Sequence, residues 1–227
     1  MTFGENVLKF YHDLSIREAL PPGIAVMNPY QDKTCFEICR EFYGKYYNDH
    51  NKRYLILGIN PGRYGAGLTG IPFTDPIKLE SVFGIKNSFS KKPELSADFI
   101  HTMIAAFGGY ETFFSKFFIN SVSPLGFVKE GKNLNYYDTP ALRNTLESFI
   151  IESIRTQLDF PVHRHAAFCL GEGENYKYLQ KINEQEKFFG RIIPLAHPRF
   201  IMQYKRRHVD AYIHDYLKKF QAIAQHP

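Results

Sequence analysis

The chain has 227 residues, 44% of them hydrophobic and 22% charged, which excludes a disordered or low-complexity protein and allows one sizeable core. Lys and Arg number 28 against 23 Asp and Glu, a net charge of +5 that suits a polyanionic partner without requiring one. Three cysteines cannot all pair, and no leader pattern or long apolar run is visible, so one unit over residues 1–227 in a reduced, cytoplasmic setting, with no membrane span, is expected.

Cys35 and Cys39 open the segment CFEICREFYGKYY, whose apolar spacing is helical. A zinc or cluster site draws on about four ligands, so the pair reads as two small core residues, and neither a metal nor another cofactor is called for. RYLILGI (53–59), KFFINSV (116–122), HAAFCLG (165–171) and GRIIPLA (190–196) are short apolar runs that end in polar or turn-forming residues, the pattern of buried parallel strands. Between them lie helical patterns. Ser96 and Gly108 bound one, Thr139 followed by Pro140 opens another that runs to 158, a third spans about 174–187, and a last follows residue 203 with Val209, Tyr212, Ile213, Tyr216, Leu217 and Phe220 on one face. Strand and helix therefore alternate, as in an open α/β sheet covered on both faces.

Ligands of such sheets collect at the carboxyl ends of the strands. Those ends carry Asn60-Pro61-Gly62, Asn120 within INSVSPLGF, and His197-Pro198-Arg199. Each residue has an ordinary structural explanation, as a turn former, a local backbone partner or a core histidine. Their arrival at corresponding strand ends marks a candidate site.

GINPGRYGAGLTGIPF, INSVSPLGF and LAHPRF resemble the motifs of the single-strand-selective monofunctional uracil-DNA glycosylases, in the order that family places them, and AVMNPY and GKNLNYYDTP extend the similarity from about residue 24 to about residue 215. The resemblance implies a three-layer αβα sandwich around a four-stranded parallel sheet. It also implies a monomeric enzyme that acts on single- or double-stranded DNA, hydrolysing the N-glycosidic bond of uracil or a related deaminated or oxidised base such as xanthine, hypoxanthine or 5-hydroxymethyluracil.

Glycosidic cleavage leaves negative charge on the departing base, and the protein must stabilise that anion and supply a water. By the resemblance, Asn60 would position the water and His197 would donate a ring N–H to the base. Asn120 would read the base edge, accepting from N3–H and donating to O4. Phe73 would stack on the extruded ring, with Gly58, Ile59, Pro61, Gly62 and Gly65 shaping the turn around it. Pro198, Arg199, Phe200, Ile201, Met202, Lys205, Arg206 and Arg207 combine apolar wedge residues with cations suited to phosphates. The family's His-Pro-Ser-Pro-Arg is shortened here to His-Pro-Arg, which leaves the wedge residue open. Two other readings remain at this level. One is a nucleic-acid-binding protein of the same fold without turnover, and the other is an unrelated α/β hydrolase, for which neither a phosphate loop nor a G-x-S-x-G elbow is present.

Overall fold

The computed structural model describes residues 1–224; residues 225–227 of the expected unit lie outside the described residues. The chain begins with α1 (Phe3–Asp13), β1 (Ile24–Met27) and α2 (Lys33–Tyr46), then enters the main sheet at β2 (Tyr54–Gly58). Short helices α3 (Ala66–Thr69) and α4 (Pro76–Ser81) precede α5 (Leu95–Phe107) and α6 (Tyr110–Phe114), which lead to β3 (Phe117–Ser121). A hairpin of β4 (Gly126–Lys129) and β5 (Lys132–Leu134) is followed by α7 (Pro140–Leu158), β6 (Ala167–Leu170), α8 (Glu174–Glu186) and β7 (Ile192–Leu195). The chain closes with α9 (Pro198–Tyr204) and α10 (Val209–Ala224).

The four expected strands form one parallel sheet in the order β3-β2-β6-β7. The chain leaves β2 toward β3 on one side and resumes at β6 on the other. The order therefore reverses between β2 and β6, and a crevice opens at their carboxyl ends. Side chains alternate between two helical layers. Phe118 packs on Phe3 and Tyr47 of the α1/α2 side, while Phe117 packs on Phe107 of α5 and Phe220 of α10. This alternation decides which strand-end residues can meet.

Two features depart from the sequence-based expectation. A second sheet, antiparallel in the order β1-β4-β5, sits beside the main one. Its strands are three or four residues long and only in part buried, so they carry little apolar signal. The C-terminal helical pattern is two helices, α9 and α10, separated by a turn over Arg206–His208. The caps agree more closely: Thr139 accepts from the Leu142 N–H at 3.2 Å, and Gly108 ends α5 at φ 118°. The cap of α5 is Glu94, two residues ahead of the expected Ser96.

Candidate active site

Asn60 follows β2 and its amide is fixed from both ends. Its Nδ2 donates to the carbonyl of Leu134 at 3.1 Å and more weakly to that of Pro61 at 3.3 Å, while its Oδ1 accepts from the Tyr136 N–H at 3.0 Å. Tyr136 is fully buried, and its hydroxyl donates to Oδ1 of Asn175 at 2.8 Å. Asn175 in turn donates to the Leu170 carbonyl at 3.0 Å and the Gly58 carbonyl at 3.4 Å. The crevice between β2 and β6 is thus closed by a chain of amides and a phenol that sets the angle of Asn60. The β4–β5 hairpin completes the support. Asn133 accepts from the Arg63 N–H at 3.3 Å, the Arg63 guanidinium donates to the Gly131 carbonyl, and Gly126 lets the Pro61 carbonyl approach to 2.5 Å from where a Cβ would sit.

His197 caps α9 at the end of β7, its Nδ1 accepting from the Arg199 N–H at 3.1 Å. Burial, and then the neighbouring Arg199 charge, lower its pKa to about 4. The ring is therefore neutral, and because Nδ1 accepts, its proton resides on Nε2. Phe73 lies opposite, its ring centroid 6.5 Å from that of His197. Its φ of 51° is a strained value for an aromatic residue. His101, also held neutral with a pKa of about 4 by burial and by Lys78, secures this conformation by donating from Nε2 to the Phe73 carbonyl at 3.2 Å while Nδ1 accepts from the Tyr110 hydroxyl at 2.9 Å.

These residues line a cleft of about 860 Å³. Ile59, Asn60, Pro61, Gly62, Gly65, Phe73, His197, Arg199 and Phe200 all line it, and Gly58 lies behind Phe73, whose Cζ would be 3.6 Å from a Cβ there. A second cavity of about 440 Å³ between α1 and α7 contains none of the strand-end residues.

Asn120, expected to read the base edge, does not line the cleft. Asn120 shares the parity of Phe118 and points into the α7 layer, where its Nδ2 donates to Oε1 of Gln157 at 2.8 Å and its Oδ1 accepts from the Ser121 N–H at 2.9 Å. Ser121 shares the parity of Phe117 and lines the cleft instead. Of the expected apolar wedge, only part lies at the surface. Ile201 and Met202 are buried on the inner face of α9, as is Pro198 in its first turn, which leaves Phe200 with its neighbour Tyr204 at the rim, 42% and 66% exposed with ring centroids 5.8 Å apart. Lys205, Arg206 and Arg207 are exposed on the turn beyond α9 and do not line the cleft. Gly62 has only an ordinary contact, 3.5 Å to Asn133, where its Cβ would be, whereas Gly65 faces the Glu94 carboxyl. Sequence reasoning missed Tyr64, Glu94, Ser121, Asn133, Asn135, Tyr137, Gln203 and Tyr204, all of which line the cleft. For Gln203 and Tyr204 a signal existed, since they extend the helical face begun by Arg199 and Phe200. The other six sit on loops, at the end of β3 or within the three-residue β5, where no periodicity marks them.

A sequence model of the uracil DNA glycosylase superfamily matches residues 45–221, most of the chain. The chain belongs to the uracil DNA glycosylase superfamily. The crystal structure of wild-type SMUG2 of Pedobacter heparinus matches it with a TM-score of 0.96 at 49% sequence identity, covering 99% of both chains. The single-strand selective monofunctional uracil-DNA glycosylase of Rattus norvegicus is 28% identical over 157 residues, covering 61% of this chain and 55% of the rat protein. The chain thus spans about half the length of that curated relative. The αβα architecture and the family expected from the strand-end motifs are both those of this superfamily.

Proposed function

We propose that the protein is a monofunctional DNA glycosylase that hydrolyses the N-glycosidic bond of uracil in DNA and leaves an abasic site. The observation that carries this reading is the neutral His197, whose only ring proton is on Nε2, set across the cleft from Phe73. A flat base stacked on Phe73 would present a carbonyl to that N–H. As the N-glycosidic bond lengthens and charge gathers on the base, a donor held rigidly by its backbone bond stabilises the leaving anion without reorganisation. A protonated imidazole would hand over a full charge and bind the ground state too; a neutral donor favours the transition state more selectively.

The finer reading concerns which bases are accepted. Ser121 offers a hydroxyl that rotates to donate or accept, where an amide would present a fixed donor and acceptor pair. Donating, that hydroxyl matches a carbonyl at the facing edge, which deaminated purines share with uracil; accepting, it does not by itself reject an amino edge. A 5′-labelled oligonucleotide series with one uracil, xanthine, hypoxanthine, 5-hydroxymethyluracil or cytosine, incubated with the protein and then cleaved at abasic sites with alkali, tests both levels. Uracil excision is expected, with at least one deaminated purine also released, and the cytosine substrate measures whether Ser121 admits an amino edge. Retention of every base by a protein that still binds the oligonucleotides would favour the reading without turnover.

A further inference from the structure

Hydrolysis needs a group that can take a proton from water, and the residues already described do not supply one. The Asn60 amide is neutral and bonded to backbone through both Nδ2 and Oδ1. His197 uses Nδ1 to accept from backbone and carries its proton on Nε2. Among the described residues that line the cleft, one bears a carboxyl group: Glu94. Glu172 and Glu174 line a smaller adjoining recess and are both exposed.

Glu94 is placed unusually. It is the N-cap residue of α5, and its side chain makes no capping bond. Its backbone N–H is instead held by Oδ2 of Asp75 at 2.9 Å, and its side chain turns to the Gly62–Gly65 turn that follows Asn60. A Cβ on Gly65 would lie 2.1 Å from Oε2 of Glu94, so only glycine leaves room for the carboxyl there. Oε2 is buried and has no hydrogen-bond partner among the described residues. A carboxyl that lines the cleft and keeps a buried oxygen without a partner is a local conflict of the kind that accompanies function.

We propose, on the glycosylase reading above, that Glu94 is the general base of the reaction. Water oxygen bonds to C1′ of the sugar as the C1′–N bond breaks, and the electron pair of that bond stays on the base. The water proton passes to the Glu94 carboxylate and from there, directly or relayed through solvent, to the base anion, leaving a hydroxyl on C1′ and a neutral free base. The surroundings suit the task. Burial, and next Asp75, raise the pKa of Glu94 to about 7, with Lys78 and Arg199 acting in the opposite sense. Lys78 is itself paired with Asp98 at 2.6 Å. Burial and Arg199 hold His197, across the same cleft, well below neutrality, so of the two groups Glu94 is the one placed to change charge near pH 7.

Single-turnover excision of uracil from a labelled oligonucleotide between pH 5 and 9 tests the assignment, with circular dichroism and anisotropy of the bound oligonucleotide as controls. The wild-type rate should climb about tenfold per pH unit and level off above about pH 7. Glu94→Gln should be at least about tenfold slower at pH 8 and flat with pH. Gly65→Ala, which displaces the carboxyl without removing it, should flatten the profile in the same way and carries the test should Glu94→Gln fail to fold. A folded variant that keeps the wild-type rate, or is slower but keeps the wild-type inflection, overturns the proposal, the second result being what a purely structural Glu94 would give. Failure of the wild type to release any base overturns the glycosylase reading itself.

Discussion

At the scale of single residues, the division of labour between Asn120 and Ser121 turns on strand parity. Adjacent strand residues face opposite layers, so two consecutive polar residues at the end of β3 cannot both face the cleft. Sequence periodicity marks the strand but not which of the two points which way, because KFFINSV is buried on both faces and nearly continuous in hydrophobicity. Ser121→Ala should therefore slow uracil excision about 3- to 10-fold, the loss of one hydrogen bond. Asn120→Ala should leave the excision rate of the folded protein unchanged but lower stability by about 1–3 kcal/mol, since Oε1 of Gln157 loses its buried donor. Single-turnover rates and urea midpoints of both variants separate these effects. An Asn120→Ala protein that is as stable as wild type but inactive would reverse the assignment. By contrast, Asn60 and His197 are legible from sequence because each directly follows a clear strand and precedes a proline, which leaves little freedom in where the side chain goes.

At the scale of elements, α9 carries two functions on opposite faces of one short helix. Ile201 and Met202 fill the interface with α5 and α10, while Arg199, Phe200, Gln203 and Tyr204 face the cleft. The run RFIMQYKRRH reads from sequence as a basic, apolar segment beside the site, and the structure places its first residues on the cleft wall. What the sequence leaves out is where the helix stops: α9 ends at Tyr204, and Lys205, Arg206 and Arg207 turn away from its axis. Aromatic rings that stack on bases contribute about 1–3 kcal/mol each. Truncating Phe200 and Tyr204 to Ala should thus weaken binding of single-stranded oligonucleotides about 5- to 150-fold per ring, with little change in salt dependence. Replacing Lys205, Arg206 and Arg207 by Gln should do the reverse, reducing the slope of log affinity against log salt by about one for each phosphate that is no longer neutralised. Fluorescence anisotropy across a salt series distinguishes the two. An unchanged slope in the triple variant would mean that the turn after α9 faces away from DNA. The small sheet is the other element with a bearing on the site. It escapes sequence reading because its strands are short and half-polar, yet its hairpin presents the Leu134 and Tyr136 backbone to Asn60.

At the scale of the whole molecule, the cleft costs stability, and the cost depends on pH through three groups. His101 and His197 have pKa values of about 4 against 6.5 for the free side chain. The unfolded chain binds their protons first, so stability falls as pH drops below 6.5 and the loss is complete near 4, roughly 3 kcal/mol for each ring. Glu94 works in the opposite direction. Its pKa of about 7 lies above the 4.5 of a free glutamate, so the native state holds the proton more tightly and stability rises as pH falls from 7 to 4.5, again by roughly 3 kcal/mol. The gain of the one carboxyl offsets the first losses of the two histidines between pH 7 and about 6, but below that the two rings lose about twice what the carboxyl gains. The wild-type stability should consequently change little from pH 8 to about 6 and drop below that. Glu94→Gln removes the gain and leaves the loss, so its stability should decline steadily over the same range, and its advantage over the wild type should be largest at pH 8 and shrink toward pH 5. Urea unfolding at half-unit intervals measures this directly. The buried amide of Gln adds a cost of its own, but that cost does not vary with pH, so the difference between the two profiles is what counts. Parallel profiles would mean that Glu94 titrates alike in the folded and unfolded chains, and that the carboxyl in the cleft wall is as well solvated as any on the surface.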